Sequence, residues 1–432
     1  MQKFFIQTFG CQMNVYDGQR IAAMLEKHGM TQTDDIADAD IIILNTCAVR
    51  AKATDKVYSA LGRIRRAKKG SALLGIVGCV ARESGADAFK RIPELNFVLG
   101  PQSYHKLPEI LKNPDTKLLN IDLGGLEKFD ELPQITKSPV VAYIPIQEGC
   151  NHCCTYCIVP YTRGRELSRP FKDVITDTIN AAKTGAIEIC FLGQNVNGYK
   201  YTDEKGKTFR LSDLIRETAK IPEIMRIRFT SSYPTEMTDD LIDMFRTEPK
   251  LLPFLNMPIQ SGSQSVLSRM NRPYSLELYT NIIDKLRAAR PDIQISSDFI
   301  VGFPDESDDD FEQTMKIAEN IKYINSYSFK YSPRPHTAAA LMPNQIPENI
   351  KAARLAKLDA CLNEIQRDFN NSCIDKNFEC LLEGPDKTGK HLVYRTPFMQ
   401  QCIVPACENA PALAKIQITA ANKASLRGKF IN

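Results

Sequence analysis

Short apolar runs separated by polar, helix-spaced segments set the pattern from the first residues onward. Lys3–Phe9, Ile41–Asn45 and Leu73–Val77 are nearly continuous apolar stretches. Strands with one wet face would alternate, so these read as parallel strands covered on both faces. Between them, Asp17–Lys27 and Ala53–Lys68 repeat apolar residues at helical spacing. The pattern predicts an open, doubly wound parallel-sheet α/β domain over residues 1–130, and Phe129–Pro139, with Pro133 and Pro139, reads as the linker out of it.

From Val140 the alternation becomes a longer series. Strand-like runs occur at Val140–Ile146, Ile187–Leu192, Met225–Thr230, Phe254–Met257, Ile293–Val301 and Ile324–Tyr331. Helical segments follow at Lys172–Thr184, Leu211–Ala219, Ser275–Ala289 and Asp308–Ile321. Six β-then-α units over residues 136–366 predict a curved, incompletely closed (β/α)6 barrel, short of the usual ~8 units. Ile350–Asn370 reads as one long helix. Within 369–432, Phe378–Glu383, His391–Tyr394, Ile403–Pro405 and Ala414–Thr419 are short strands divided by turn residues such as Gly384 and Gly389, which predicts a small antiparallel β-barrel.

Composition excludes disordered and fibrous classes: 43% of the 432 residues are hydrophobic and 25% charged, enough for several cores. No apolar run approaches the ~18 residues that cross a bilayer, and MQKFFIQTFG has no export leader, so a cytoplasmic chain with no membrane partner is expected. A net charge of +4 does not by itself indicate nucleic-acid binding, and the basic run Arg63–Lys69 reads as a solvated helix face. The 13 cysteines change the picture, because in a reducing compartment they favour metal or redox chemistry over disulfides.

Cys150, Cys154 and Cys157 form a CxxxCxxC array directly after the first barrel strand, at the carboxyl end where barrel active sites are built. Three thiolates can hold three irons of a 4Fe-4S cluster and leave the fourth for an external chelating ligand; electron-transfer clusters use four cysteines. Cys153 leaves open a four-thiolate zinc site from the pairs Cys150/Cys153 and Cys154/Cys157, although structural zinc pairs are normally set about a dozen or more residues apart. Cys11, Cys47 and Cys79 each follow a strand of the first domain. Residues just past strand ends share one edge of an open parallel sheet, so the three are expected to converge on a second metal site; three buried core cysteines are the alternative. Cys190, Cys361, Cys373, Cys380, Cys402 and Cys407 read as structural, and His152 as an exposed loop residue. Gln194 and Asn195, Ser231 and Ser232, Gln260 and Ser261, and Asp298 lie at other strand ends, where polar groups suit a polar ligand at the barrel mouth.

The array after the first strand of a six-unit barrel resembles the radical S-adenosylmethionine superfamily. The longer segment EGCNHCCTYCIVPYTRGRELSRP, with TFGCQMN, NTCAVR and VGCVAR upstream, resembles the methylthiotransferases over the whole chain. TFGCQMN, NTCAVRAKA and LGQNVNGY (Leu192–Tyr199) are similar to the tRNA-modifying, MiaB-type branch; the threonylcarbamoyl-adenosine branch typically carries lysine where Gln12 stands. Asp305 in GFPDES and His336 in YSPRPHT stand where the family usually has glycine, and VYRT replaces the usual GRT.

The resemblance implies a radical S-adenosylmethionine barrel, a C-terminal TRAM-like RNA-binding barrel and two 4Fe-4S clusters. Cys150, Cys154 and Cys157 would hold the cluster that chelates S-adenosylmethionine and, on one-electron reduction, yields a 5′-deoxyadenosyl radical. The radical would take hydrogen from C2 of N6-isopentenyl-adenosine beside the tRNA anticodon. Cys11, Cys47 and Cys79 would hold an auxiliary cluster carrying sulfur, which a second S-adenosylmethionine methylates. Tyr156, Gln194, Asn195 and Gln260 are candidate S-adenosylmethionine contacts, and Arg163, Arg165 and lysines of the C-terminal barrel candidate phosphate contacts. Partners expected are tRNA and an electron donor, with the protein a monomer. A sibling methylthiotransferase acting on threonylcarbamoyl-adenosine tRNA or a ribosomal protein is the second reading. A non-catalytic, metal-stabilised RNA-binding protein is the third, and a simple electron carrier the fourth.

Overall fold

The structure, a computed structural model, describes residues 2–48, 51–125, 127–133, 135 and 139–431. Val49 and Arg50 of NTCAVRAKA, and Gln134 and Thr136–Ser138 of the expected linker, lie outside the described residues.

The apolar runs at the N-terminus form β1 (Lys3–Thr8), β3 (Ile41–Thr46) and β4 (Leu73–Gly78) of a parallel sheet. All six residues of β3 are buried, which is why this run does not alternate. The sheet has six strands in the order β2-β1-β3-β4-β5-β6, the others being β2 (Thr31–Gln32), β5 (Phe97–Leu99) and β6 (Leu118–Asn120). The last three are two or three residues long, too short to leave a period in the sequence. The helices α1 (Gln12–Lys27) and α2 (Ala51–Ala67) start earlier than their apolar spacing suggests, and the short α3 (Cys79–Ser84) begins on a cysteine. The order reverses between β1 and β3, and in such sheets ligands gather outside the strand ends at that reversal.

All six expected strands of the central unit are present. β7 (Val141–Pro145), β8 (Glu188–Leu192) and β9 (Arg226–Phe229) pair in parallel. β10 (Phe254–Asn256) follows, and the fifth run splits at Ser297 into β11 (Gln294–Ser296), paired with β10, and β12 (Asp298–Val301), paired with β13 (Tyr327–Lys330). The crescent stays open because no ladder joins β13 to β7 among the described residues. One large apolar cluster fills it, including Ile144, Phe191, Phe229, Leu255, Phe299 and Tyr323. Three helices, Val159–Arg163, Asp239–Thr247 and Gln264–Arg269, are absent from the pattern.

A 25-residue helix, Glu348–Ser372, leads to a closed five-stranded barrel: β14 (Asn377–Pro385), β15 (His391–Arg395), β16 (Gln401–Pro405), β17 (Leu413–Ala421) and β18 (Ser425–Phe430). The last strand, SLRGKF, escapes the sequence reading because its polar residues hide the alternation, and it closes the barrel through a parallel pairing with β16. Arg226 of β9 donates to the carbonyls of Arg395 (3.1 Å) and Thr396 (3.1 Å), docking this barrel on the central unit.

Candidate active site

The loop that carries Cys150, Cys154 and Cys157 is closed at its base by a two-residue ribbon, Gln147–Glu148 against Leu167–Ser168. Gly149 enters it with φ +73°, and a Cβ there would stand 2.0 Å from the Arg165 carbonyl oxygen, so the turn into Cys150 requires glycine. Inside, Cys157 N–H donates to the Cys154 carbonyl (3.0 Å), and α4 (Val159–Arg163) follows at once. Burial pushes the Cys150 and Cys157 thiols up to about 12, with the field of Cys154 adding to the rise at both. Cys153 turns out to solvent, its thiol on the Asn151 carbonyl (3.7 Å).

Cys11, Cys47 and Cys79 meet beyond the ends of β1, β3 and β4. Cys11 caps α1, Cys79 opens α3, and a Cβ on Gly10 would lie 2.1 Å from Cys47 Cβ, which fixes glycine at this φ of +115°. A hydrogen bond with Cys47, then the Arg163 charge, bring the Cys11 thiol down to about 6 against the opposing effect of desolvation. Cys11 is solvent-exposed, whereas Cys47 and Cys79 are buried. Burial holds the Cys79 thiol above its usual range, opposed by the Arg163 guanidinium, and the field of Cys11 reaches it.

The two triads are neighbours. Ile158, the residue after Cys157, packs with Ala48, Cys79 and Val80 in one small buried cluster. Met13, two residues after Cys11, packs on Cys190 and Leu192 of β8. Beneath this contact lie four buried charges: Asp17 of α1, Lys128, Glu148 and Arg163, none more than 4% exposed. Glu148 accepts from Lys128, from Arg163 (2.5 Å) and from Gln102 (2.5 Å), while Asp17 accepts from Lys128 (3.3 Å), Arg163 (3.4 Å) and Tyr104 (3.3 Å). Arg163 is therefore not the phosphate contact the sequence suggested. Its guanidinium is used inside the protein, whereas Arg165 remains exposed.

At the barrel mouth His152 is half-buried rather than a free loop residue: it stacks on Tyr233 (3.6 Å between centroids) and bonds Glu236 (3.1 Å). Asn195 is 2% exposed, its amide nitrogen 3.3 Å from Glu166 and its Oδ1 without a partner among the described residues. Gln147 Nε2, Ser232 Oγ, Tyr233 OH and Glu236 Oε2 are buried in the same unsatisfied state. Such atoms are costly unless a polar molecule meets them. Gln194 instead accepts from Gly149 N–H (2.6 Å), and Gln260, at φ +73°, lies where β10 ends and bridges Phe299. Tyr156 packs edge-on to Phe303 and takes Arg272 on its hydroxyl (3.3 Å).

A tetrahedral ion draws its thiolates to one point. Among the described residues no three His, Cys, Asp or Glu side chains converge that closely. Each triad nevertheless shares one electrostatic field. In kind and number, three cysteines per set match the donors of a 4Fe-4S cluster that leaves one iron open.

Residues 144–318 match the radical SAM superfamily, and residues 3–100 match Uncharacterized protein family UPF0004. The chain is 44% identical over 443 residues to the tRNA-2-methylthio-N(6)-dimethylallyladenosine synthase of Rickettsia conorii (strain ATCC VR-613 / Malish 7), covering 100% of both chains. The chain belongs to that synthase family. The Zymomonas mobilis family member is 42% identical, with 100% of this chain and 97% of its own covered. Among solved structures, the radical S-adenosylmethionine methyltransferase TsrM from Kitasatospora setae shares the fold with a TM-score of 0.57 at 13% identity, over 79% of this chain and 77% of its own. The cobalamin-dependent radical enzyme OxsB does so with 0.52 at 12% identity, over 84% and 58%.

Two departures from the family pattern now have a backbone explanation. Asp305 and His336 both sit at left-handed φ, +62° and +67°, the conformation that glycine adopts freely. Asp305 is held there by Asn344 Nδ2 donating to its carboxylate (2.6 Å) and by Arg269 donating to its carbonyl (3.1 Å). His336 lies against the Tyr161 ring (5.9 Å).

The residues that sequence reading missed are Asp17, Glu148, Arg272 and Glu236. Glu148 opens the segment EGCNHCCTYC and Arg272 lies outside every motif quoted above, but in neither case does a charged residue give a sign in sequence that it will be buried.

Proposed function

We propose that this protein is a tRNA methylthiotransferase that adds a methylthio group to C2 of N6-isopentenyl-adenosine next to the anticodon. Its units are residues 1–130 with the auxiliary centre, 136–366 with the radical centre, and 369–432 for RNA contact. The observation that supports this reading is that Ile158, the residue after Cys157, packs against Ala48 and Cys79, so that in this reading a sulfur-bearing centre stands beside a radical-generating one.

Cys150, Cys154 and Cys157 hold one 4Fe-4S cluster in this reading, and Cys11, Cys47 and Cys79 a second. Bound there, the first cluster supplies reductive cleavage of S-adenosylmethionine, needed because an aromatic C2–H is beyond side-chain acid/base chemistry. The chain's own residues do the placing. Asn195, with Gln147, Ser232, Tyr233 and Glu236, offers unsatisfied polar atoms to S-adenosylmethionine at the mouth. Tyr156 borders it, Gln194 keeps the cysteine loop in register through Gly149, and Gln260 shapes the opposite rim. Burial of Cys79, Ala48 and Ile158 excludes water between the two centres. Exposed Arg165 and exposed lysines of the C-terminal barrel, Lys390, Lys415 and Lys429, face the tRNA backbone. The enzyme acts as a cytoplasmic monomer served by a low-potential electron donor; among the described residues no helix is long and apolar enough to cross a membrane.

Nucleoside mass analysis of tRNA from cells lacking the protein tests the reading. Loss of the methylthio form with accumulation of isopentenyl-adenosine is expected. Loss from threonylcarbamoyl-adenosine, or unchanged tRNA, would refute it.

A further inference from the structure

One segment grips the radical-centre loop along its length. Thr155 N–H and hydroxyl donate to the carbonyls of Met270 (3.0 Å) and Arg269 (2.9 Å), and Asn271 Nδ2 donates to the Cys153 carbonyl (2.9 Å). The segment ends in Arg272, 4% exposed. Its Nε donates to Tyr274 OH (2.6 Å), Nη2 to the Pro258 carbonyl (2.8 Å), and Nη1 to Tyr156 OH (3.3 Å) and Cys154 Sγ (3.8 Å). The guanidinium also lies over the rings of Tyr233 (4.7 Å) and Tyr274 (5.1 Å). Its electrostatic partners are Tyr156, Tyr274 and Cys154, and no ion pair among the described residues involves it. A buried arginine stays charged, and a buried cation without a carboxylate is costly unless another anion meets it. Cys154 Sγ, which would carry negative charge as a cluster ligand, is the group within reach.

We propose that Arg272 is a positioning residue that sets the reduction potential of the cluster at Cys150, Cys154 and Cys157, through a fixed charge and an N–H donor on the Cys154 sulfur. The inference rests on the cluster reading of those three cysteines. Reduction adds one electron, from a low-potential one-electron donor, and with it one negative charge; no bond to the protein forms or breaks. Net charge and hydrogen bonds to the sulfurs are what set such potentials. Arg272 therefore favours the reduced form, and its fork, anchored by Tyr274 and Pro258, keeps the donor on sulfur.

The test is a dithionite titration followed by electron paramagnetic resonance on the full-length Cys11→Ala/Cys47→Ala/Cys79→Ala protein, in which a single cluster remains. Arg272→Gln is expected to lower the equilibrium constant for reduction at least tenfold, about 59 mV for a one-electron couple. Arg272→Lys, which keeps the charge but not the fork, should fall between Arg272→Gln and the parent. A parent-like potential in Arg272→Gln would overturn the proposal. So would loss of iron from both variants, since the arginine would then be needed only to hold the loop. Absence of iron from the parent would instead refute the cluster reading itself.

Discussion

Arg163→Met probes how the two cysteine-bearing units are held together. The wild-type set is balanced, with Asp17 and Glu148 against Lys128 and Arg163, and every member is nearly inaccessible to water. Removing Arg163 strips Glu148 of a partner at 2.5 Å and Asp17 of one at 3.4 Å, and leaves a net negative charge buried. Breaking a buried pair from one side costs about 3–5 kcal/mol. At ~1.4 kcal/mol per decade, that is roughly a hundred- to several-thousand-fold in the docking equilibrium. Adding Glu148→Gln leaves Asp17 and Lys128 balanced, so the double variant should recover about 1–3 kcal/mol relative to the sum of the singles. A multidomain chain has no single unfolding free energy, so the assay is native-state proteolysis at Lys128, buried in the helix Glu127–Glu131, which reports the open fraction when closing outpaces cleavage. Arg63→Met, on the exposed face of α2, is the control and should stay within about 0.5 kcal/mol of wild type. The reasoning fails if Arg163→Met behaves like that control, or if the double variant loses the full sum.

Four further outcomes are expected. In metal-free protein, alkylation of Cys11 should be half-maximal near pH 6, because its lowered thiol is thiolate above that value and is protonated as pH falls through it, while Cys150 and Cys157 need about pH 12; mass mapping of adducts checks the order. Arg163→Met should move the Cys11 midpoint upward, since the Arg163 charge helps lower it. Gly10→Ala should cost the auxiliary centre alone, and Gly149→Ala the radical centre alone, about four irons each by iron analysis, because their Cβ atoms would meet Cys47 Cβ at 2.1 Å and Arg165 O at 2.0 Å. His336→Val should destabilise by about 1–2 kcal/mol while His336→Gly is tolerated, read as the shift in thermal inactivation; equal effects would contradict the left-handed strain argued there.

Much of this was legible in the sequence because buried parallel strands announce themselves as unbroken apolar runs. β1, β3, β4 and the six barrel runs could be located, and with them the strand ends that carry Cys11, Cys47, Cys79 and Cys150. β5, β6 and β18 were not legible, the first two for lack of length and the last for its polar residues. Side-chain partnership was harder. TRGRE reads as a basic surface, yet Arg163 lies inside and Arg165 outside, a division set by the Asp17 and Glu148 carboxylates that tertiary packing brings to it. Asp305 and His336 read as departures from glycine, and only the backbone shows that both keep the glycine conformation.

The central claim is that two cysteine triads hold two clusters side by side. Iron and labile sulfide per chain, measured after anaerobic reconstitution on wild type and on the Cys11→Ala/Cys47→Ala/Cys79→Ala variant, test it most directly. The account predicts about eight irons falling to about four, the content of two 4Fe-4S clusters and then of one. Zinc in place of iron, or no loss in the variant, would contradict it.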